Sequence, residues 1–210
     1  MREKMKRLLI SVEGIDGCGK STLAKNLSEE LKKHQLEVVL TREPGQTKIG
    51  ERIKSILYEE KDEMCAKTEF LLFAANRAQH FEEIVIPALN EGKIVISDRM
   101  GDSSLAYQGF GLNLDVAMLE QINSWTMNNI KPDFTIYIKL DEETAFKRIK
   151  ERSKALTPFE KEKKEYWTSV INGYDTIFEN RKDIIILDGK LSEEELTKQA
   201  IEIILKSLSK

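Results

Sequence analysis

Short apolar runs alternate along the chain with stretches in which apolar positions recur every third or fourth residue. The runs Leu8–Val12, Val38–Thr41, Ile94–Ser97, Phe134–Leu140 and Ile184–Leu187 are dense in Val, Ile and Leu rather than alternating apolar with polar, the pattern of strands covered on both faces. Between them Leu23, Leu27 and Leu31 repeat at helical spacing, as do Ile49, Ile53 and Leu57, and Thr68–Ile86 carries a long apolar stripe. Val116–Met127, Glu142–Arg152, Phe159–Phe178 and Ser192–Leu208 predict further helices. Strand and helix in regular succession predict an α/β fold, a five-stranded parallel sheet with helices on both faces. No internal repeat and no Ser/Gly-rich linker divides residues 1–210, which are expected to form one domain. Ser153–Lys164 breaks the pattern: it is charged, contains Pro158 and reads as a loop between helices.

Charge and composition narrow the function. Lys and Arg number 33 against 36 Asp and Glu, for a net charge of −3, so neither a nucleic-acid surface nor a polybasic membrane anchor is expected. The apolar run that follows the basic start Met1–Arg7 stops at Glu13, too short for a signal peptide or a membrane span. Two cysteines, Cys18 and Cys65, are too few for a disulfide framework and suit a reducing compartment, so a soluble cytoplasmic protein is expected. Two histidines, His34 and His80, argue against a His-rich metal site or a Ser-His-Asp triad.

The strongest chemical signal is Gly14-Ile15-Asp16-Gly17-Cys18-Gly19-Lys20-Ser21, with Thr22 next, set between the first strand and the first helix. It satisfies the phosphate-loop pattern G-x-x-x-x-G-K-[ST]. Glycines let the backbone curl so that several N–H groups face a phosphate, and the helix N-terminus adds its positive end. Lys20 would neutralise the β- and γ-phosphates of ATP, and Ser21 would complete a Mg²⁺ shell. The same helix end can lower a thiol pKa and make Cys18 oxidation-sensitive; the plainer reading is a small residue filling a permissive position.

Asp98-Arg99-Met100-Gly101 matches the D-x-x-G of GTPase switches, but Asn129-Ile130-Lys131-Pro132-Asp133 and Asn180-Arg181-Lys182-Asp183 both fail the guanine-reading Asn-Lys-x-Asp. A small-molecule kinase needs cations around its acceptor instead, and Arg42, Arg77, Arg99, Arg148 and Arg152 supply them. In an open parallel sheet the carboxyl ends of the strands face one crevice, which gathers Lys20, Arg42 and Arg99. A phosphate acceptor is already ionised and needs no general base, which fits the scarcity of histidine and points to a nucleoside monophosphate kinase.

Four segments in this order resemble the thymidylate kinase family: Gly14–Ser21, Thr41-Arg42-Glu43-Pro44-Gly45, Leu72-Phe73-Ala74-Ala75-Asn76-Arg77, and Asp98-Arg99 with Ser103-Ser104-Leu105-Ala106-Tyr107-Gln108. The resemblance implies a P-loop kinase fold with a short lid at about residues 150–164, ATP and Mg²⁺ as donor and cofactor, and dTMP as acceptor. It also implies a homodimer through helix packing, for which Thr68–Ile86 is the candidate. It places Phe73 against the base, Arg77 on its polar edge, Ser104 and Gln108 on the thymine ring, Ser103 beside them, and Tyr107 against the sugar. Arg99 becomes the clamp between acceptor phosphate and transferred phosphoryl. Asp16 would contact the sugar or metal-bound water, Asp98 would order such water or hold Arg99, and Glu43 would fix the Arg42–Gly45 turn and approach the same water.

Three departures stand out. Gln46 occupies a position commonly glycine. Lys54 stands where an acceptor-phosphate arginine is common, keeping the charge but losing the bidentate fork. The lid stretch Leu156-Thr157-Pro158-Phe159-Glu160 lacks the usual arginine. Arg152, with Arg148 second, is expected to supply that charge, Arg148 otherwise lying against adenine. A kinase for another pyrimidine monophosphate such as dUMP, or a nucleotide-binding switch with little turnover, are the remaining alternatives.

Overall fold

The five apolar runs become strands β1 (Leu8–Glu13), β2 (Val38–Arg42), β3 (Ile94–Asp98), β4 (Phe134–Lys139) and β5 (Ile184–Asp188) of one sheet. The computed structural model describes residues 7–152 and 155–208. The basic start of the chain and two positions of the expected lid, Ser153 and Lys154, lie outside the described residues. The strand order is β2-β3-β1-β4-β5 and every pairing is parallel. Asp98 lies in register with Val12 on one side and Arg42 on the other, so the carboxyl ends of the three strands meet at one rim.

Both faces are covered. Ile10, Val12, Ile94 and Ile96 pack with Leu23, Leu27 and Leu31 of α1 (Lys20–Lys33), whereas Leu9 and Val95 turn to Phe81 and Val85 on the opposite face, as the two-residue period of a strand requires. The expectation of full coverage fails at the sheet's edges, where Leu40 of β2 and Ile186 of β5 are exposed. An edge strand has a neighbour on one side only, and its apolar residues still serve the face the helices reach.

Helices α2 (Lys48–Glu59), α6 (Val116–Thr126), α7 (Glu142–Glu151) and α9 (Glu193–Leu208) follow the expected segments. Two predicted helices are interrupted. Thr68–Ile86 is α3 (Ala66–His80), then a π turn at Phe81–Val85, then α4 (Ile86–Asn90). Pro87 in the first turn of α4 has no N–H to give the preceding turn, and the wider turn absorbs the lost bond. Phe159–Phe178 is a 3-10 turn at Phe159–Lys161, an extended break at Glu162 and Lys163, and α8 (Lys164–Phe178).

One helical stretch escaped the sequence pattern: α5 (Gly101–Ser104), continued by a π segment over Leu105–Gly111. Gly101, Gly109 and Gly111 lower its helix propensity, and Leu105–Gly109 is buried throughout, so no apolar stripe marks it. It survives by packing against α8. The two elements approach closely at Gly111, where a Cβ would stand 2.6 Å from the Tyr166 ring, and at Gly173, where one would stand 2.8 Å from the Phe110 side chain. Gly173→Ala is therefore expected to cost about 1–3 kcal/mol by overpacking, read as a lower urea midpoint. An unchanged midpoint would mean that this helix pair yields freely.

Candidate active site

The rim formed by β1, β2 and β3 opens on two adjoining cavities. The larger, about 940 Å³, is floored by Asp16–Leu23 and walled by Arg148 and Arg152 at the end of α7 and by Lys190–Glu193 after β5. The smaller, about 300 Å³, is lined by Phe73, Arg77, Ser104, Tyr107 and Gln108, with Phe159 beside them. The charged side chains that line both are Asp16, Arg42, Glu43, Arg99 and Arg152.

The loop after β1 is set by backbone geometry. Gly19, the residue before α1, has φ +102°. Gly17 has φ +81°, and a Cβ there would stand 2.6 Å from the Ala145 carbonyl oxygen of α7 and 2.9 Å from Ile149. Lys20 is buried, its ammonium donating to the Ile15 carbonyl at 2.8 Å and standing 3.9 Å from Asp16. Cys18 is fully buried, and burial pushes its thiol up, beyond the pull of Lys20 and Arg99. The oxidation-sensitive reading therefore falls, because an inaccessible thiol of raised pKa is inert.

Arg99 occupies the junction in a left-handed conformation, φ +75°, which costs a side chain on the order of 1–2 kcal/mol. Its carbonyl accepts from Ser97 Oγ at 2.7 Å and its N–H donates to Val12 at 3.0 Å. The guanidinium donates to Asp16 at 2.6 Å, Ser103 at 2.9 Å, Tyr107 at 3.0 Å and the Gly14 carbonyl at 3.1 Å, and stacks 4.8 Å from the Tyr107 ring centre. Burial works to raise the Asp16 pKa, but Arg99 and then Lys20 overcome it and hold the carboxyl below its usual range. Beneath lies Glu13, fully buried, accepting from Ser103 Oγ at 2.6 Å, the Met100 N–H at 2.7 Å and Tyr174 Oη at 3.1 Å. Burial first, and Asp102 second, push its pKa up to about 7, against the pull of Ser103 and Arg99.

On the smaller cavity Phe73 is half-buried, its ring 5.9 Å from that of Phe159, so it is not sealed in the core. Arg77 is 1% exposed. It donates to Asn123 at 2.6 Å, Ser104 at 3.0 Å and the Met100 carbonyl at 3.3 Å. Its Nε stands 2.9 Å from Glu43 without hydrogen-bond alignment. The other Glu43 oxygen is 3.0 Å from His80 Nδ1, whose Nε2 meets Thr41 Oγ1 at 2.6 Å. Glu43 thus stands between Arg77 and His80. Gln108 donates to Glu69 at 2.8 Å. Arg152 pairs with Glu160 of the 3-10 turn and reaches both cavities, whereas Arg148 lines only the larger, as does Lys54, 3.7 Å from Glu51. Gln46 takes the glycine-like φ of +72° and ties its N–H to Glu51 at 2.8 Å, so the turn keeps its left-handed form. Asn123, His80, Tyr174, Tyr58 and Phe159 also shape the site, but nothing local in the sequence marks them.

Ser21 donates to Asp98 Oδ2, and Asp98 Oδ1 is buried with no partner. An unpaired carboxylate oxygen beside a hydroxyl at a phosphate loop fits Mg²⁺. Among the described residues no group of three or more His, Cys, Asp or Glu could hold a metal, as suits an ion that takes most of its oxygens from phosphates and water. Asp98 therefore faces Ser21, while Asp16 holds Arg99.

Residues 12–201 match the family model described as thymidylate kinase. The chain belongs to the thymidylate kinase family. The thymidylate kinase of Halothermothrix orenii (strain H 168) is 40% identical over 201 residues, covering 93% of this chain and 95% of the relative. That of Finegoldia magna (strain ATCC 29328) is also 40% identical, covering 94% and 97%, and that of Thermoanaerobacter sp. (strain X514) is 39% identical, covering 97% and 100%. Family membership and the two cavities agree on an ATP-dependent nucleoside monophosphate kinase.

Glu13 yields a prediction of definite sign. Between pH 4.5, its ordinary value, and about 7 the folded chain keeps a proton that the unfolded chain releases, so this group's contribution to stability declines as pH rises through that window. Glu13→Gln is expected to gain stability relative to the parent over the same interval in urea titrations. A difference that does not vary with pH would refute the raised value.

Proposed function

We propose that the chain transfers the γ-phosphoryl of ATP to dTMP, giving dTDP and ADP for dTTP synthesis, with ATP in the larger cavity and dTMP in the smaller. The observation that carries this reading is the boundary between the cavities, where Arg42, Arg99 and Arg152 converge beside the phosphate loop. An ionised acceptor oxygen attacks the γ-phosphorus, the bond to the β,γ-bridging oxygen breaks, and ADP leaves with that electron pair. Charge moves across the boundary in the transition state, and fixed cations there stabilise it. Lys20 and the loop N–H groups from Gly14 to Ser21, with Thr22 beside them, hold the donor phosphates, and Arg148 lies against the donor base. Arg99, kept rigid by Asp16, Ser103 and Tyr107, spans the reacting groups. Ser21 and Asp98 would hold Mg²⁺, which neutralises the β- and γ-oxygens. Phe73 stacks on the acceptor base, Ser104 and Gln108 read its edge, Tyr107 crowds the sugar, and Arg42 reaches the acceptor phosphate at the boundary, with Lys54 approaching it from the larger cavity. Arg77 has three of its five N–H groups in hydrogen bonds to the protein and its Nε beside Glu43, so it is the wall on which Ser104 is set. The unpaired thiols Cys18 and Cys65 support a cytoplasmic setting.

The smaller partner in this proposal is a second copy of the chain. Leu71 on α3 and Met118 and Trp125 on α6 are exposed, Trp125 by 76%, and the two helices pack side by side. Such a shared apolar face suits an isologous dimer. The parent is expected to sediment as a dimer and Trp125→Lys as a monomer; a monomeric parent would exclude the interface.

ADP release from ATP–Mg²⁺ with each monophosphate in turn tests the reaction. Stimulation by dTMP alone is expected; stimulation by another acceptor would reassign the substrate, and none with any acceptor would make the chain a nucleotide-binding switch. Arg152→Ala is expected to lose at least about 1000-fold in kcat, the lower end for a transition-state arginine. A loss under threefold would take Arg152 out of that role.

A further inference from the structure

The wall behind Gln108 holds a buried ion pair for which the reaction has no direct use. Glu69 of α3 is 1% exposed. One of its oxygens accepts from Gln108 Nε2 at 2.8 Å, and the other stands 3.0 Å from the Lys61 ammonium. Lys61, 10% exposed, also pairs with Glu162 at 3.1 Å and lies 5.4 Å from the centre of the Phe159 ring. Burial opposes its charge, but Glu69 and Glu162 raise its pKa above the usual value.

A glutamine amide has two faces of opposite polarity, and rotation of its end group by half a turn exchanges them. A carboxylate offers only lone pairs. Against Glu69, then, the amide can present only its NH₂, since the reversed amide would set oxygen against oxygen between two buried side chains, where the low dielectric strengthens the repulsion. With the nitrogen committed, the Gln108 oxygen is the end left for the cavity it lines. Arg77 donates to Ser104 Oγ at 3.0 Å, which leaves the hydroxyl hydrogen as the group Ser104 can give. The cavity wall therefore offers an acceptor and a donor side by side.

We infer that the Lys61–Glu69 pair fixes the polarity of Gln108, and with Ser104 matches the wall to a pyrimidine imide, an N–H flanked by carbonyls, against the aminopyrimidine edge of cytosine. The inference rests on the proposed reading of this cavity as the acceptor-base site. Glu69 and Lys61 are positioning residues: neither touches the substrate, and both act through the amide. Cytosine carries a lone pair where thymine carries its N3–H and an amino group where thymine carries a carbonyl. The lone pair would face the Gln108 oxygen, acceptor against acceptor, and leave both unpaired in a buried site, the arrangement that discriminates most strongly between similar substrates.

Glu69→Gln keeps shape and volume but can donate as well as accept. Gln108 is then free to rotate, and the wall loses its fixed polarity. In the full-length enzyme the ratio of kcat/KM for dTMP over dCMP is expected to fall at least about tenfold, through KM for dTMP rising and activity on dCMP appearing, with kcat for dTMP within about threefold. Glu69→Asp retains a carboxylate facing the amide, so its ratio is expected to stay within about threefold of the parent even if both substrates bind more weakly. That contrast separates polarity from packing, because a purely structural role would be hurt more by the shortened Asp than by the isosteric Gln. If Glu69→Gln does not fold, Lys61→Gln, which removes the countercharge, is expected to lower the ratio in the same direction. An unchanged ratio in the folded variant overturns the inference. A parent enzyme that phosphorylates no thymidine monophosphate overturns the acceptor reading instead.

Discussion

Arginine is useful to a phosphoryl-transfer site only if it is held where charge will develop, and what holds it here is a set of carboxylates. Asp16 grips Arg99 at 2.6 Å, Glu43 stands against Arg77 at 2.9 Å, and Glu160 pairs with Arg152. Each carboxylate sits on a different element from its arginine, so the pairs tie the phosphate loop, the turn after β2, α3, the strand end of β3, the end of α7 and the 3-10 turn at Phe159–Lys161 into one frame. A buried guanidinium without such a partner would carry a large desolvation cost. Ion pairing here acts less to stabilise the fold than to give three cations definite positions.

The acids differ in how firmly they are ionised. Asp16, facing Arg99 and Lys20, is held as a carboxylate. Glu13, one layer deeper and shadowed by Asp102, has a pKa near 7 and leans on neutral donors, Ser103, Tyr174 and the Met100 N–H. The outer acid sets the charge balance of the cleft, and the inner one organises the turn that carries Arg99 into its left-handed conformation.

Much of this was legible in the sequence. The strands are visible because central β-strands need uninterrupted apolar runs, and the phosphate loop because its chemistry is local: glycines, a lysine and a hydroxyl within eight positions. The helical stretch Gly101–Gly111 was not, since a segment buried on all sides has no periodic stripe to read. The break at Glu162 was hidden for another reason: its partner Lys61 lies 101 positions away. The roles of Glu43, Glu69, Asn123 and His80 are likewise matters of which side chain faces which across the fold. A sequence without alignment carries composition and spacing but not those encounters. The family resemblance supplied the residues that would touch ligand, and the structure added the residues that hold them.

Gly17 bears on why the donor-side arginines sit where they do. A Cβ at this position would fall 2.6 Å from the Ala145 carbonyl oxygen and 2.9 Å from Ile149, so the loop and α7 meet along a surface that admits no side chain there. An arginine grafted at position 17 would lever the helix off the loop before its charge reached a phosphate. In this architecture Arg148 and Arg152 reach the larger cavity from the far end of that helix, so the spacing from Ala145 to Arg148 and Arg152 becomes a ruler: an insertion or deletion within α7 would swing both guanidinium groups around the helix axis and out of the cleft, leaving the loop itself untouched.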